Sequence, residues 1–166
     1  MRKRIKWAIG CKMKKKTHAS CPAKPRFAVV VARFNTAITD NLLNACLNEF
    51  SRQGVCECEV QVVHVPGAFE IPVTALKLAQ KKHILAVIGL GAVIRGETFH
   101  YELVAIETVR GMMQVSLQTE KPVIFEVLAA DTIKLCQSRA KAGDQDNKGA
   151  SAARVALEMV KTLNEI

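Results

Sequence analysis

Apolar and polar positions follow two alternating patterns along the chain. Residues 27–32 form an uninterrupted apolar run with three consecutive valines. Such a run is typical of a strand that is covered on both faces of a parallel sheet. From Ile38 to Phe50, apolar residues recur every four positions, and Gly54 stands where a helix with that spacing would end. The pattern therefore predicts a strand followed by a helix.

The same succession is predicted three more times. Further strands are expected over residues 55–65, 84–89 and 123–128. Helices are expected to begin at 68–72, to run from Thr98 as N-cap to about Leu117, from Asp131 to Gln137, and from about Lys148 to Asn164. The glycine-containing segment 90–96 is predicted to be a turn.

Four strands that alternate with helices predict right-handed crossovers and a four-stranded parallel sheet with helices on both faces. This is the flavodoxin-like three-layer α/β/α sandwich, in which ligands bind beyond the carboxyl ends of the strands. The segments predicted to lie at that edge are residues 33–36, 66–70, 91–100 and 129–132. A functional site is therefore expected among them.

Length and composition restrict the class of protein. A chain of 166 residues, 49% hydrophobic and 23% charged, suits one domain and is too short for two ordinary ones. No apolar run approaches the roughly 18 residues of a membrane span, and no secretion signal is recognisable. The six cysteines contain no C-x-x-C pair. A soluble cytoplasmic protein without a metal site is therefore expected.

The net charge of +9 is unevenly distributed. Residues 1–26 hold ten lysines and arginines and no acid, whereas residues 27–166 carry the other 14 basic and all 15 acidic side chains. This predicts a basic, disordered arm over 1–26 and a nearly neutral folded domain over 27–166. Alternatively, the arm attracts nucleic acid or phosphate. Nucleic acid is considered as a partner only through this arm.

Three residues at the predicted strand ends suit an organic ligand. Phe34 can stack on a flat heterocycle, although a place in the core is the alternative. Glu70 follows Pro66-Gly67 and can either stabilise a helix start or accept hydrogen bonds from a polyol. His100 is the strongest general acid/base candidate, with a structural histidine as the alternative.

Other residues suit a phosphate. The glycines at 89, 91 and 96 have the spacing of neither a dinucleotide fingerprint nor a P-loop, but a helix beginning near Thr98 offers free N–H groups to an anion. Arg139 can bind phosphate through two hydrogen bonds; the alternative is that it is only an exposed charge. Lys148 opposes the dipole of the last helix, which favours a functional role.

Four segments in one order closely resemble the 6,7-dimethyl-8-ribityllumazine synthase family. They are Ala32–Asn35, Val65–Pro72, Gly91–Tyr101 and Asn147–Ala150, and the resemblance spans about residues 27–164. It implies a transferase of riboflavin biosynthesis. The family condenses 5-amino-6-(D-ribitylamino)uracil with 3,4-dihydroxy-2-butanone 4-phosphate, releases phosphate and water, and needs no cofactor.

The resemblance implies a role for each matched residue at the heterocycle. Phe34 would stack on the pyrimidine, and Phe125 would form a second aromatic wall. The ribityl chain would be held by Ala68, Phe69 and Glu70. The pyrimidine pocket would be lined by the backbone of Ala92, Val93 and Ile94.

It implies further roles at the phosphate. Glu97 and Thr98 would receive the phosphate at the helix start, and Arg139 would bind it. His100 would be the proton donor, so that His100 and Arg139 are the expected catalytic residues. Lys148 would be a further polar residue of the site, in a loop one residue longer than the family's pattern.

The resemblance also implies a homopentamer, in some members assembled into icosahedral shells, with Phe125 and Arg139 reaching the site of a neighbouring subunit. The chain departs from the family at Glu126, where glycine is usual, and at Ala129-Ala130, where threonines are usual. These departures motivate an alternative, a non-catalytic flavodoxin-like protein that binds flavin or lumazine.

Overall fold

The computed structural model describes residues 25–143 and 146–166. All but the last two residues of the expected basic arm lie outside the described residues, so the arm remains a prediction. Among the described residues, no helix is long and apolar enough to cross a membrane.

Among residues 25–143 and 146–166, four parallel strands form one sheet. They are β1 (Phe27–Ala32), β2 (Val60–Val65), β3 (Ala86–Ile94) and β4 (Val123–Ala130). Their order across the sheet is β2-β1-β3-β4, and every neighbouring pair is parallel. The predicted four-stranded parallel sheet is confirmed, and the bounds of its first strand are those predicted.

In the described part of the chain, five α-helices cover the sheet. They are α1 (Thr36–Arg52), α2 (Ile71–Ala79), α3 (His100–Thr119), α4 (Ile133–Arg139) and α5 (Lys148–Glu165). Buried side chains of α1, α4 and α5 form one apolar core against the sheet, and those of α2 and α3 form a second one with residues of the opposite face. The predicted three-layer α/β/α sandwich is therefore confirmed.

The second and third strands differ from the predicted ones. Residues Glu57–Glu59 form one turn of 3₁₀ helix, so β2 begins five residues later than expected. The prediction of a turn over 90–96 is wrong because β3 continues to Ile94 and pairs with β4 along this stretch. Gly89 and Gly91 serve close packing: a Cβ on Gly89 would lie 2.7 Å from Ile71 and Met112 side-chain atoms.

The strand order places a crevice at the carboxyl edge of the sheet. From β1 the chain passes through α1 to β2 on one side, and then through α2 to β3 on the other side of β1. The loops that leave β1 and β3 diverge at such a reversal and leave room between them. The pairing of β1 with β3 extends as far as Val31 and Leu90.

Candidate active site

A cavity of about 300 Å³ opens in this crevice, at the carboxyl ends of β1, β2 and β3 and beside the first turn of α3. Eight of the predicted site residues line it: Phe34, Ala68, Phe69, Glu70, Ala92, Val93, Ile94 and His100. Four segments that are distant in sequence thus contribute to one cavity: the loop after β1, the 3₁₀ turn after β2, the end of β3 and the start of α3.

Phe34 lies at the mouth of the cavity and not in the core. Its side chain is 72% exposed. The adjoining backbone is tied to the end of β2, since Arg33 N–H donates to the Val65 carbonyl at 2.8 Å and Phe34 N–H to that of Pro66 at 3.1 Å. An exposed ring on a fixed backbone is available for stacking on a planar ligand.

Glu70 serves the local structure and still faces the cavity. Gly67 N–H donates to Glu70 Oε2 at 2.9 Å, which fixes the short 3₁₀ turn Ala68–Glu70 before α2. No other hydrogen bond to the carboxylate is found among the described residues, so Oε1 remains free to accept from a hydroxyl. Both roles expected for Glu70 are therefore compatible.

His100 is the first residue of α3 and is exposed at the cavity. The prediction that Thr98 caps this helix is wrong: Phe99 is the N-cap and makes no side-chain capping bond. Within the described part of the chain, the His100 imidazole has no hydrogen bond or ion pair. It is therefore free to exchange a proton with a bound ligand.

Two lining residues on α3, Tyr101 and Val104, were not singled out from the sequence. The Tyr101 hydroxyl donates to Glu102 Oε1 at 2.9 Å, and the Arg95 guanidinium lies 5.5 Å from the centre of its ring. Burial, with a contribution from Glu102, raises the pKa of Tyr101, so its hydroxyl stays protonated and acts as a donor. Val104 lies one helical turn beyond His100, and that spacing could have revealed it.

Five predicted site residues do not line the cavity: Glu97, Thr98, Phe125, Arg139 and Lys148. Glu97 and Thr98 lie exposed in the loop before α3. Phe125 is half-buried on the edge strand β4, Arg139 ends α4, and Lys148 begins α5. Within one chain, the described residues therefore form the part of the expected site that suits a heterocycle. The two expected cations, Arg139 and Lys148, lie outside the cavity.

The cavity combines apolar walls with the carboxylate of Glu70, the imidazole of His100 and the phenol of Tyr101. This set suits a planar heterocycle that carries hydroxyl groups, because stacking and directed hydrogen bonds are both available. Across residues 25–143 and 146–166, no three His, Cys, Asp or Glu side chains lie close enough together to hold a metal ion.

Glu126, the residue that departs from the family pattern, is half-buried on β4. Burial raises its pKa to about 7, while the charges of Lys148 and Arg139 act in the opposite direction. Among the described residues, its carboxylate makes no hydrogen bond or ion pair. The two cations expected at the phosphate thus influence a carboxyl group that ionises near neutral pH.

Replacement of Glu126 by glutamine is expected to stabilise the fold at pH 8. The pKa of this carboxyl group is 4.5 in the unfolded chain and about 7 in the folded one, so ionisation favours the unfolded chain. The carboxyl group therefore opposes folding once the pH exceeds 4.5, and most strongly above pH 7. After allowance for solvent screening, the free energy of unfolding should rise by about 1–2 kcal/mol at pH 8, and by much less at pH 5. Urea unfolding at both pH values measures this.

The matched control is Glu158→Gln, which removes an exposed carboxylate from α5. Its effect on stability should be within about 0.5 kcal/mol at both pH values. A Glu126→Gln variant that is no more stable than the control at pH 8 would show that the Glu126 carboxylate is not penalised by its surroundings.

The chain is similar in sequence to known proteins over most of its length. Residues 24–164 match the sequence profile of the family described as 6,7-dimethyl-8-ribityllumazine synthase. The chain is also 48% identical, over 141 residues, to proteins named 6,7-dimethyl-8-ribityllumazine synthase from two strains of Thermus thermophilus. Each alignment covers 85% of this chain and 89% of the relative.

Proposed function

The chain belongs to the 6,7-dimethyl-8-ribityllumazine synthase family, and we propose that its cavity is the active site for the formation of 6,7-dimethyl-8-ribityllumazine. It is an enzyme of riboflavin biosynthesis, a transferase. The substrates are 5-amino-6-(D-ribitylamino)uracil and 3,4-dihydroxy-2-butanone 4-phosphate, and the products are 6,7-dimethyl-8-ribityllumazine, phosphate and water. The observation that carries the site assignment is that Phe34, Glu70 and His100 line one cavity.

The pyrimidine substrate fits the walls of the cavity. Its ring stacks on Phe34 and lies against the backbone of residues 92–94, beyond the point where β1 leaves β3. Its ribityl chain extends along Ala68 and Phe69 and donates a hydroxyl hydrogen bond to Glu70. Two walls and one polar contact orient the free amine toward His100.

The phosphorylated ketone is placed at the start of α3. The backbone N–H groups of His100 and Tyr101 have no partner among the described residues, and the first turn of a 20-residue helix favours an anion. Glu97 and Thr98 precede this turn and contribute backbone contacts. Arg139, with Lys148 as a further cation, stabilises the phosphate as it departs.

The chemistry needs little beyond orientation and proton transfer. The amine attacks the ketone, and loss of water gives an imine. Phosphate is then eliminated, and ring closure with loss of a second water yields the lumazine. Holding the two reactants together supplies several kcal/mol of barrier lowering. His100 transfers protons during these steps, and no cofactor is required.

A second copy of the chain completes the site. Phe125 and Arg139 lie outside the cavity of their own chain. One face of α3 carries an apolar stripe that is exposed to solvent: Leu103, Ile106, Val109, Met113 and Leu117. A stripe of this kind marks an interface between proteins. The resemblance to the family implies that this assembly is a cytoplasmic homopentamer, in which each subunit supplies Phe125 and Arg139 to its neighbour.

Turnover by the purified full-length chain tests the function. Incubation with both substrates should produce lumazine, which is followed by its absorbance, together with phosphate. Binding of the pyrimidine or of lumazine without formation of product would favour the binding-protein alternative instead.

Activity should also depend on assembly. If neighbouring subunits complete each site, the activity per subunit falls when the protein is diluted below the concentration at which it assembles. Turnover is measured at each dilution beside native mass spectrometry. A verified monomer with undiminished activity per subunit would contradict a shared site.

A further inference from the structure

Asn35, which directly follows the stacking residue Phe34, has an unusual backbone conformation. Its φ and ψ are 61° and 46°, in the left-handed region. Among the described residues, Glu120 is the one other non-glycine residue with positive φ. Asparagine tolerates this region better than most residues. The conformation turns the chain sharply from β1 into α1.

The side chain of Asn35 does not cap the helix that it precedes. Its backbone carbonyl accepts from Ile38 N–H at 2.9 Å and Thr39 N–H at 3.1 Å, but no side-chain capping bond is made. Capping of a helix start is the usual structural reason for asparagine at this position. The amide is therefore used for another purpose.

The Asn35 amide bridges to the strand on the other side of the crevice. Its Nδ2 donates to the carbonyl oxygen of Ala92 at 2.9 Å, in a half-buried position and across 57 residues of sequence. The pairing of β1 with β3 ends two residues before Ala92, at Val31 and Leu90. The Asn35 side chain thus supplies a hydrogen bond to β3 beyond the point where β1 and β3 cease to pair.

This hydrogen bond connects the two walls that face the proposed pyrimidine. Phe34 precedes Asn35 and forms the aromatic wall, and residues 92–94 form the backbone wall. Because a peptide unit is planar, a fixed Ala92 carbonyl also fixes the plane of the peptide between Ala92 and Val93. The hydrogen bonds of Phe34 and Arg33 to the end of β2 and the pairing of residues 92–94 with β4 hold each wall separately, and the Asn35 amide links one wall directly to the other.

We propose that Asn35 is a positioning residue, which holds Phe34 and the Ala92–Ile94 backbone at the spacing that the pyrimidine substrate requires. The inference rests on the proposed function, since it concerns the pyrimidine end of that site. Asn35 acts through these neighbours and takes no part in proton transfer.

Two variants of the full-length protein test this role. Asn35→Asp keeps the shape of the side chain but replaces the donor by an oxygen that repels the Ala92 carbonyl. Asn35→Gly keeps the left-handed backbone and removes the side chain. Both should raise KM for the ribitylaminopyrimidine roughly ten- to hundredfold, because the two walls lose their fixed spacing. KM for the phosphorylated ketone should change less than about twofold, since its contacts lie elsewhere.

Glu120→Gly is the matched control, because it makes the same substitution at the other left-handed residue, beyond the end of α3. Its kinetics should equal those of the wild type. Native mass and thermal unfolding, recorded for all variants, identify any general loss of structure.

Each outcome bears on one part of the inference. Wild-type turnover with an unchanged KM for the pyrimidine in both Asn35 variants overturns the positioning role alone. An equal loss for both substrates also overturns it, because it indicates a structural role. Absence of turnover in the wild type instead overturns the proposed function, and the inference with it.

Discussion

Replacement of His100 by alanine is expected to lower kcat roughly ten- to hundredfold while both substrates still bind. The imidazole stands free at the cavity, at the start of α3, and among the described residues it has no structural partner to lose. Its removal therefore takes away proton transfer and little else. The loss lies at or below the lower end of general acid/base effects, because the remaining walls still hold the two reactants together.

Steady-state kinetics with each substrate varied in turn measures this effect. His83→Ala is a suitable control, since His83 precedes β3 in the chain and does not line the cavity. Its kcat should match that of the wild type. A His100→Ala variant with unchanged kcat would remove His100 from the mechanism, and one with a raised KM alone would assign it to binding.

Replacement of Gly149 by alanine should have the largest effect on stability. Gly149 is buried in the first turn of α5, where the helix meets α1, and a Cβ there would overlap the Leu42 carbonyl oxygen and lie 2.7 Å from the carbonyl carbon. These backbone atoms cannot move aside without displacing α1. Alanine should therefore lower the free energy of unfolding by about 3 kcal/mol or more, at the upper end of overpacking effects.

Urea unfolding of Gly149→Ala beside Gly96→Ala tests this expectation. A Cβ at Gly96 would have no heavy atom within 4 Å, and Gly96 does not have a left-handed φ. Its replacement should change stability by no more than about 0.5 kcal/mol. Equal stability of the two variants would mean that α5 can shift away from α1 without cost.

The fold was largely predictable because its pattern is strongly periodic. The apolar run at residues 27–32 predicts a buried strand, and the four-residue spacing that follows predicts a helix. The structure confirms both elements, as β1 and α1. Glycine was the main source of error. A glycine in a turn and one that leaves room for neighbouring side chains look alike in a sequence, so the pattern predicts Gly91 in a turn although it lies within β3.

The candidate site was less predictable from residue types alone. Phe34, Glu70 and His100 each had a structural alternative, and their convergence depends on a strand order that no local pattern specifies. The family resemblance supplied what the individual residues did not. The hydrogen bond from Asn35 to Ala92 had no local signal, because it joins residues 57 positions apart.

Mixed assemblies of two impaired variants test the central claim most directly, that each site takes His100 from one subunit and Arg139 from the next. The variants His100→Ala and Arg139→Ala are unfolded together and refolded in equal amounts, then assayed at a low concentration of the phosphorylated ketone. In a ring of subunits, about one site in four then retains both residues, so the mixture should recover about a quarter of the wild-type activity. A mixture no more active than the two variants refolded separately would contradict a shared site.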